Sequence, residues 1–333
     1  MDLDGECLTD EDRELLEHPS VGGVILFGRN CTDPEQVGQL IKEIRAVPRR
    51  SPLLVTIDQE GGRVQRLREG VTRLPPSAEI GALYASEPDR ALRLAERTGW
   101  VMACELRALD VDASFAPVVD LDHGLSQVIG DRAFHADPAV VIRLAQAQIN
   151  GMRAGGMPAT IKHYPGHGGV SIDSHEDLPI DGRSLEALRD WDLLPFERLI
   201  RKNVPGVMVA HIVFSEIDER PASLSQRWIA QLLIEGMGFD GAVVADDLSM
   251  AGAEVIADVG DRVRAAIEAG CDLTPVCNDR QAAIRAIEAV EGHTDHRRQR
   301  RARLCGHQPD PSLCHSLGDW RKARCEVAEL SRD

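Results

Sequence analysis

Apolar residues along this chain fall into two alternating patterns. Short continuous runs of aliphatic and β-branched residues recur at 23–27 (GVILF), 53–58 (LLVTID), 112–120 (DASFAPVVD) and 159–163 (ATIKH). They recur again at 206–214 (GVMVAHIVF), 241–246 (GAVVAD) and 272–276 (DLTPV). Between them lie amphipathic stretches that predict helices near 34–46, 87–108, 137–154, 184–202, 226–237, 257–269 and 279–291. Continuous apolar strands separated by helices are the signature of a parallel sheet covered on its faces. Seven strands with an eighth concealed predict an α/β fold, a single-domain (β/α)8 TIM-type barrel with room for one irregular strand. No G-x-G-x-x-G follows the first strand, which weakens a doubly wound dinucleotide-binding sheet. The barrel is expected over 1–293, with a short C-terminal helical tail at 294–333.

Polar residues sit where the strands end: Asp58, Lys162 with His163, His211 and Asp246. In a barrel, side chains from different strand ends converge at one mouth. Composition narrows the partners. A formal charge of −16 argues against a nucleic-acid partner, which needs a basic face for phosphates. It suits a protein of small molecules. The acidic start MDLDGECLTDEDRELL has neither part of a secretory signal, and no run nears the roughly 18 apolar residues that span a bilayer. The eight scattered cysteines include no C-x-x-C and are expected as reduced, mostly buried thiols. The expected setting is the cytoplasm. In the tail, the basic run HRRQRRARL reads as a solvated helix face. The spacing of Cys305, His307, Cys314, His315 and Cys325 matches no common zinc pattern.

Three stretches carry candidate chemistry. In IKHYPGHGGVSIDSHEDLP (161–179), Pro165 and Gly166 separate His163 from His167, so no helix sets the two on one face as a metal pair. Asp173 and His175 are two apart, which in an extended segment aims both the same way and lets the carboxylate fix an imidazole tautomer. A polar loop satisfied by its own hydrogen bonds is the plain alternative. In IDQEGGRVQRLR (57–68), Asp58 and an arginine eight residues on can clamp hydroxyls of a sugar; a surface ion network would look alike. GAVVADDLSM (241–250) delivers Asp246 and Asp247 at a strand end. One of them could be a nucleophile or metal ligand while Asp247 or Ser249 caps the next helix. A nucleophilic carboxylate and a proton donor on opposite sides of a bond make a double-displacement glycosidase, here with histidine as the donor.

Together, DQEGGRVQR, VIGDRAF (128–134), KHYPGHGGVSIDSH and ADDLSM resemble the bacterial β-N-acetylhexosaminidases of glycoside hydrolase family 3, and most closely their single-domain, peptidoglycan-recycling type. The resemblance runs from GGVILFGRN (22–30) to AGCDLTPVCN (269–278). It implies a (β/α)8 barrel, Asp246 as nucleophile, His175 as acid/base and Asp173 as its orienting partner. It further implies Asp58, Arg66, Arg132, Lys162 and His163 as substrate-binding residues, with no metal and no cofactor. The implied substrate is terminal β-linked N-acetylglucosamine on anhydro-N-acetylmuramic acid sugars and peptides, handled by a monomer or weak oligomer. Tyr164 where phenylalanine is usual, the variable position of Asp131 and Thr274 within an apolar strand are mild departures. Phosphorolysis, a metallohydrolase and a non-catalytic sugar-binding protein are the competing readings.

Overall fold

The computed structural model describes residues 1–171, 178–291 and 298–331. Along the chain come α1 (Asp10–Glu17), β1 (Gly23–Leu26), α2 (Pro34–Ala46), β2 (Leu54–Ile57), β3 (Gln59–Gly61), β4 (Val64–Gln65), α3 (Ser77–Tyr84), α4 (Pro88–Arg107) and β5 (Ala113–Ser114). There follow α5 (Pro138–Ala154), β6 (Thr160–Tyr164), β7 (Ile180–Asp181), α6 (Leu185–Asp190), α7 (Leu193–Ile200), β8 (Gly206–Val209), β9 (Val213–Phe214) and β10 (Ala242–Ala245). The last are α8 (Val259–Ala269), α9 (Arg280–Ala289), α10 (Arg298–Ala302), α11 (Pro311–Leu317) and α12 (Trp320–Leu330), with a π-helical turn at Arg227–Gly236 between β9 and β10. None of the described helices is long and apolar enough to cross a membrane.

The expected closed eight-stranded barrel is not formed among the described residues. The strands make two three-stranded parallel sheets, β1-β2-β5 and β10-β8-β6, and two two-stranded ones, β3-β4 and β7-β9. The ladders that would close a ring are missing for local reasons. Pro117 has no N–H, and β5 is cut to two residues, followed by a single bridge from Ser114 to Ala159. Pro275 does the same to 272–276, which keeps one bridge, Leu273 to Val244. The stretch 206–214 breaks at Ala210–Ile212 into β8 and β9, and β9 turns to pair with β7.

The chain divides into two compact units, one of Met1–Val118, Arg143–Thr160 and Leu304–Asp333, the other of Val119–Ile142 and Ile161–Arg303. In the first, β2 is buried along its whole length and α2 lays Val37, Leu40, Ile41 and Ile44 into the core. Asp33 caps α2 through the Gln36 N–H at 2.9 Å, with Pro34 preset for the first turn. Helices α4 and α5 cross at glycines: a Cβ on Gly151 would lie 1.8 Å from the Glu96 carbonyl, and one on Gly99 2.1 Å from that of Gln148. Backbone contact this close tolerates no side chain. Gly151→Ala is expected to force the helices apart and cost about 2–3 kcal/mol, read from the denaturant midpoint. From Leu304 the tail belongs to the same unit: Trp320 on α12 packs edge-on against Trp100 at 5.2 Å, and Arg97 pairs with Glu326.

In the second unit β6, β8 and β10 are buried throughout. The helix expected over 184–202 is broken into α6 and α7, because Pro195 cannot donate to the Trp191 carbonyl and Asp192 turns inward to an ion pair. Two arginines of the basic run are paired, not simply solvated. Arg300 binds the buried carboxylate of Asp272 at 2.8 Å and the Gly270 carbonyl at 3.0 Å, and Arg303 pairs with Asp240. All eight cysteines are free, but only Cys271 and Cys277 are buried, fewer than expected.

Candidate active site

The second unit gathers its polar residues at the carboxyl ends of β6, β8 and β10. Strand β6 carries Lys162 and His163, which are only 2% and 6% exposed. A buried imidazole must have its nitrogens satisfied. Nδ1 of His163 lies 2.7 Å from a carboxylate oxygen of Asp120, which can only accept, so Nδ1 carries the hydrogen. Nε2 then faces the Arg132 guanidinium at 3.3 Å and accepts from it. Asp120 also receives the backbone N–H groups of His163, at 3.1 and 3.2 Å, and of His167, at 2.8 Å. Burial pushes the Asp120 carboxyl upward, yet the imidazoles and N–H groups of His163 and His167 outweigh it and hold it below the usual range. His167 is buried edge-on to His163, and burial lowers its pKa.

Asp246 follows β10 directly, and its N–H makes one more bond to the Val209 carbonyl at 3.0 Å. The carboxylate accepts the Asp247 N–H at 2.9 Å. Burial works against its charge, but the imidazoles of His163 and His211, that N–H and the Lys162 ammonium hold its pKa down to about 2. Asp246 is therefore a carboxylate at any physiological pH, partly exposed and ringed by basic groups. Its neighbour does something else. Asp247 caps no helix; its Oδ1 accepts the N–H groups of Ser249 and Cys277, both at 3.0 Å, and ties the turn to the 277 segment.

Burial is the largest cause that raises the Asp247 carboxyl to about 6, with the Asp246 charge adding to it against those N–H groups. The folded carboxyl thus binds its proton more tightly than the unfolded one. This contribution to stability is complete below the unfolded value near 3.8 and is lost as pH rises through about 6. Asp247→Asn keeps the accepting oxygen and removes the charge. Denaturant midpoints should show the wild type losing about 2–3 kcal/mol relative to this variant between pH 4 and pH 7.5.

In the described part of the 161–179 stretch, Gly168 and Gly169 are closely packed. A Cβ on Gly168 would sit 1.8 Å from the Leu121 carbonyl and one on Gly169 2.1 Å from the Arg183 guanidinium. Arg183 bridges Asp181, at 2.7 Å, and the buried Asp192, at 2.6 Å. His123 completes this set at 2.9 Å from Asp192, a hydrogen bond that raises its pKa against partial burial. Asp173 and His175 lie outside the described residues. In the first unit, Asp58 ends β2 and meets Arg66 at 3.4 Å. The turn between them needs glycine, since Gly61 and Gly62 have φ of 119° and 53° and a Cβ on Gly61 would meet the Pro75 carbonyl at 2.4 Å. Arg66 also lies over the Phe27 ring at 5.4 Å, whereas Arg68 turns back to the Gln65 and Arg63 carbonyls.

Lys162, His163, Arg132 and Asp246 are thus assembled in one unit and Asp58 with Arg66 in the other. Asp120 was missed from the sequence, although it ends the apolar run 112–120 just as Asp58 and Asp246 end theirs. Among the described residues, no three or more His, Cys, Asp or Glu side chains form a group suited to a metal ion.

An ionised aspartate at a strand end, beside buried lysine and histidine that can bind hydroxyls, is equipment for chemistry on a sugar. The family model described as the glycosyl hydrolase family 3 N-terminal domain matches residues 5–304. The chain belongs to that family and is a glycoside hydrolase. It is 46% identical to a β-hexosaminidase of Thiobacillus denitrificans, covering all of this chain and 94% of the other. It is 49% identical to one of Methylococcus capsulatus over 97% and 96% of the two chains. NagZ from Neisseria gonorrhoeae, crystallised with N-trifluoroacetyl-D-glucosamine, superposes with a TM-score of 0.90 at 38% identity, over 99% of this chain and 96% of that one.

Proposed function

We propose that this chain is a retaining exo-β-N-acetylglucosaminidase of cytoplasmic peptidoglycan recycling. It would remove non-reducing terminal N-acetylglucosamine from β-1,4-linked anhydromuropeptides. The observation that carries the reading is the Asp246 carboxylate, held ionised beside Lys162 and His163. The identity to named β-hexosaminidases and the likeness to a NagZ that binds an N-acylated glucosamine support the sugar.

In this reading an Asp246 oxygen attacks the anomeric carbon as its bond to the leaving oxygen breaks, and His175 gives that oxygen its proton. His175, now neutral, takes a proton from water; the water oxygen attacks the anomeric carbon and returns Asp246 as a carboxylate. Two inversions give net retention. Asp173 orients His175 and stabilises its cation, the part a carboxylate plays in a Ser-His-Asp triad. Asp58, Arg66, Arg132, Lys162 and His163 bind the sugar. No step draws on a metal or cofactor, and the protein acts as a monomer or weak oligomer.

The test is a set of chromogenic N-acetyl-β-glucosaminide, N-acetyl-β-galactosaminide and β-glucoside substrates, with the first product's anomer followed by NMR. Preferential cleavage of the glucosaminide with the β-anomer appearing first is expected. A first-formed α-anomer, or acceleration by phosphate with release of a sugar 1-phosphate, would overturn the reading.

A further inference from the structure

We propose that His211, locked by Ser223, is a positioning residue that fixes the Asp246–Asp247 turn and so the aim of the nucleophile. This rests on Asp246 being the nucleophile. His211 is wholly buried at the break between β8 and β9. Its Nε2 lies 2.9 Å from the Asp247 carbonyl and its Nδ1 2.6 Å from the Ser223 hydroxyl. A carbonyl only accepts, so Nε2 carries the hydrogen, and Nδ1 shares a hydrogen bond with the Ser223 hydroxyl, so both nitrogens are satisfied. Ser223 has no freedom to leave. Its N–H binds the Ala210 carbonyl at 3.1 Å while Ala222 binds that of Ile212 at 2.8 Å, so the segment straps both sides of His211.

Asp247 is thereby held at its carbonyl by His211 and at its carboxylate by the Ser249 and Cys277 N–H groups. Its own N–H, aimed by those restraints, is the donor to Asp246. A buried histidine in a core would need only to be satisfied; this one spends its donor on the residue next to the nucleophile. Among the described residues, the groups that face Asp246 are Lys162, His163 and His167 from the β6 side, His211 from the β8 side, and Asp247. Removing His211 takes one of the groups favouring the ionised carboxylate and loosens the donor that binds it.

The test compares His211→Ala, His211→Gln and Ser223→Ala with the wild type in kcat, KM and the acidic limb of the pH profile. Glutamine can place an amide N–H near the position of the imidazole Nε2. His211→Ala is expected to lower kcat by about 10–100-fold, with KM changed less than about threefold, and to move the acidic limb up by about one pH unit. His211→Gln should recover most of the loss, and Ser223→Ala should show a smaller change in the same direction. Thermal melts identify any variant that fails to fold; the milder two then decide. Folded variants with wild-type kcat and an unmoved acidic limb would overturn the proposal. A slow 5-fluoro glycosyl fluoride separates the two levels of inference. No label on Asp246 in the wild type sinks the nucleophile reading itself, whereas full-rate labelling in folded His211 variants sinks only the positioning role.

Discussion

Asp246→Ala is expected to abolish turnover, with kcat lowered by about 10⁴-fold or more and folding unchanged. The side chain is partly exposed at the end of β10, so its loss leaves little cavity, and the variant should still unfold in one cooperative transition. The measurement is the steady-state rate on the chromogenic glucosaminide beside a denaturant melt. A variant that keeps more than about a tenth of wild-type activity is incompatible with covalent catalysis by this residue, because no other described carboxylate is in its place. Asp247 is the nearest candidate, and its Oδ1 is already taken by two backbone N–H groups.

The second large effect concerns the proposed proton donor and depends on the leaving group. His175→Ala should slow cleavage of a disaccharide, whose alkoxide leaves poorly, by about 10²–10⁴-fold. An aryl glycoside with an acidic phenol needs no proton on departure. Its first step should be nearly unaffected, and the covalent intermediate should then accumulate because no base activates water. Burst kinetics with the activated substrate, followed by a slow steady state, would show this. Equal loss on both substrates would assign His175 to binding instead of proton transfer.

Much of this is legible in the amino-acid sequence. The five helices expected near 34–46, 87–108, 137–154, 257–269 and 279–291 appear within two residues of those bounds, because capping aspartates and prolines punctuate periodic apolar faces. The parallel pairing of β1 with β2 and of β8 with β10 was likewise legible from continuous apolar runs. The closed barrel was not. Hydrophobic runs record where a strand can be buried but not how many ladder bonds it will make, and Pro117 and Pro275 each remove a donor that the pattern does not weigh. The split of 184–202 has the same origin, at Pro195.

The site divides in the same way. Residues at strand ends (Asp58, Lys162, His163, Asp246) were marked by a polar side chain closing an apolar run. Arg132 came only through resemblance, since a 3₁₀ turn has no period to read. The opposite fates of Asp246 and Asp247, one carboxyl lowered to about 2 and the other raised to about 6, depend on which neighbours the fold delivers, and two adjacent letters cannot encode that.

Asp120 has a consequence for how this site can vary. One carboxylate receives the imidazole and amide of His163 and the amide of His167, so it serves as a shared hinge pin for the whole 163–167 turn. A lineage that replaced Asp120 would have to rebuild the turn's backbone as well as the imidazole's tautomer. The three positions are therefore expected to change together or not at all. Position 164 stands outside this set: its ring is buried against Phe196 and Trp228 on the far side of the strand, and its hydroxyl donates to the Trp228 carbonyl at 3.4 Å.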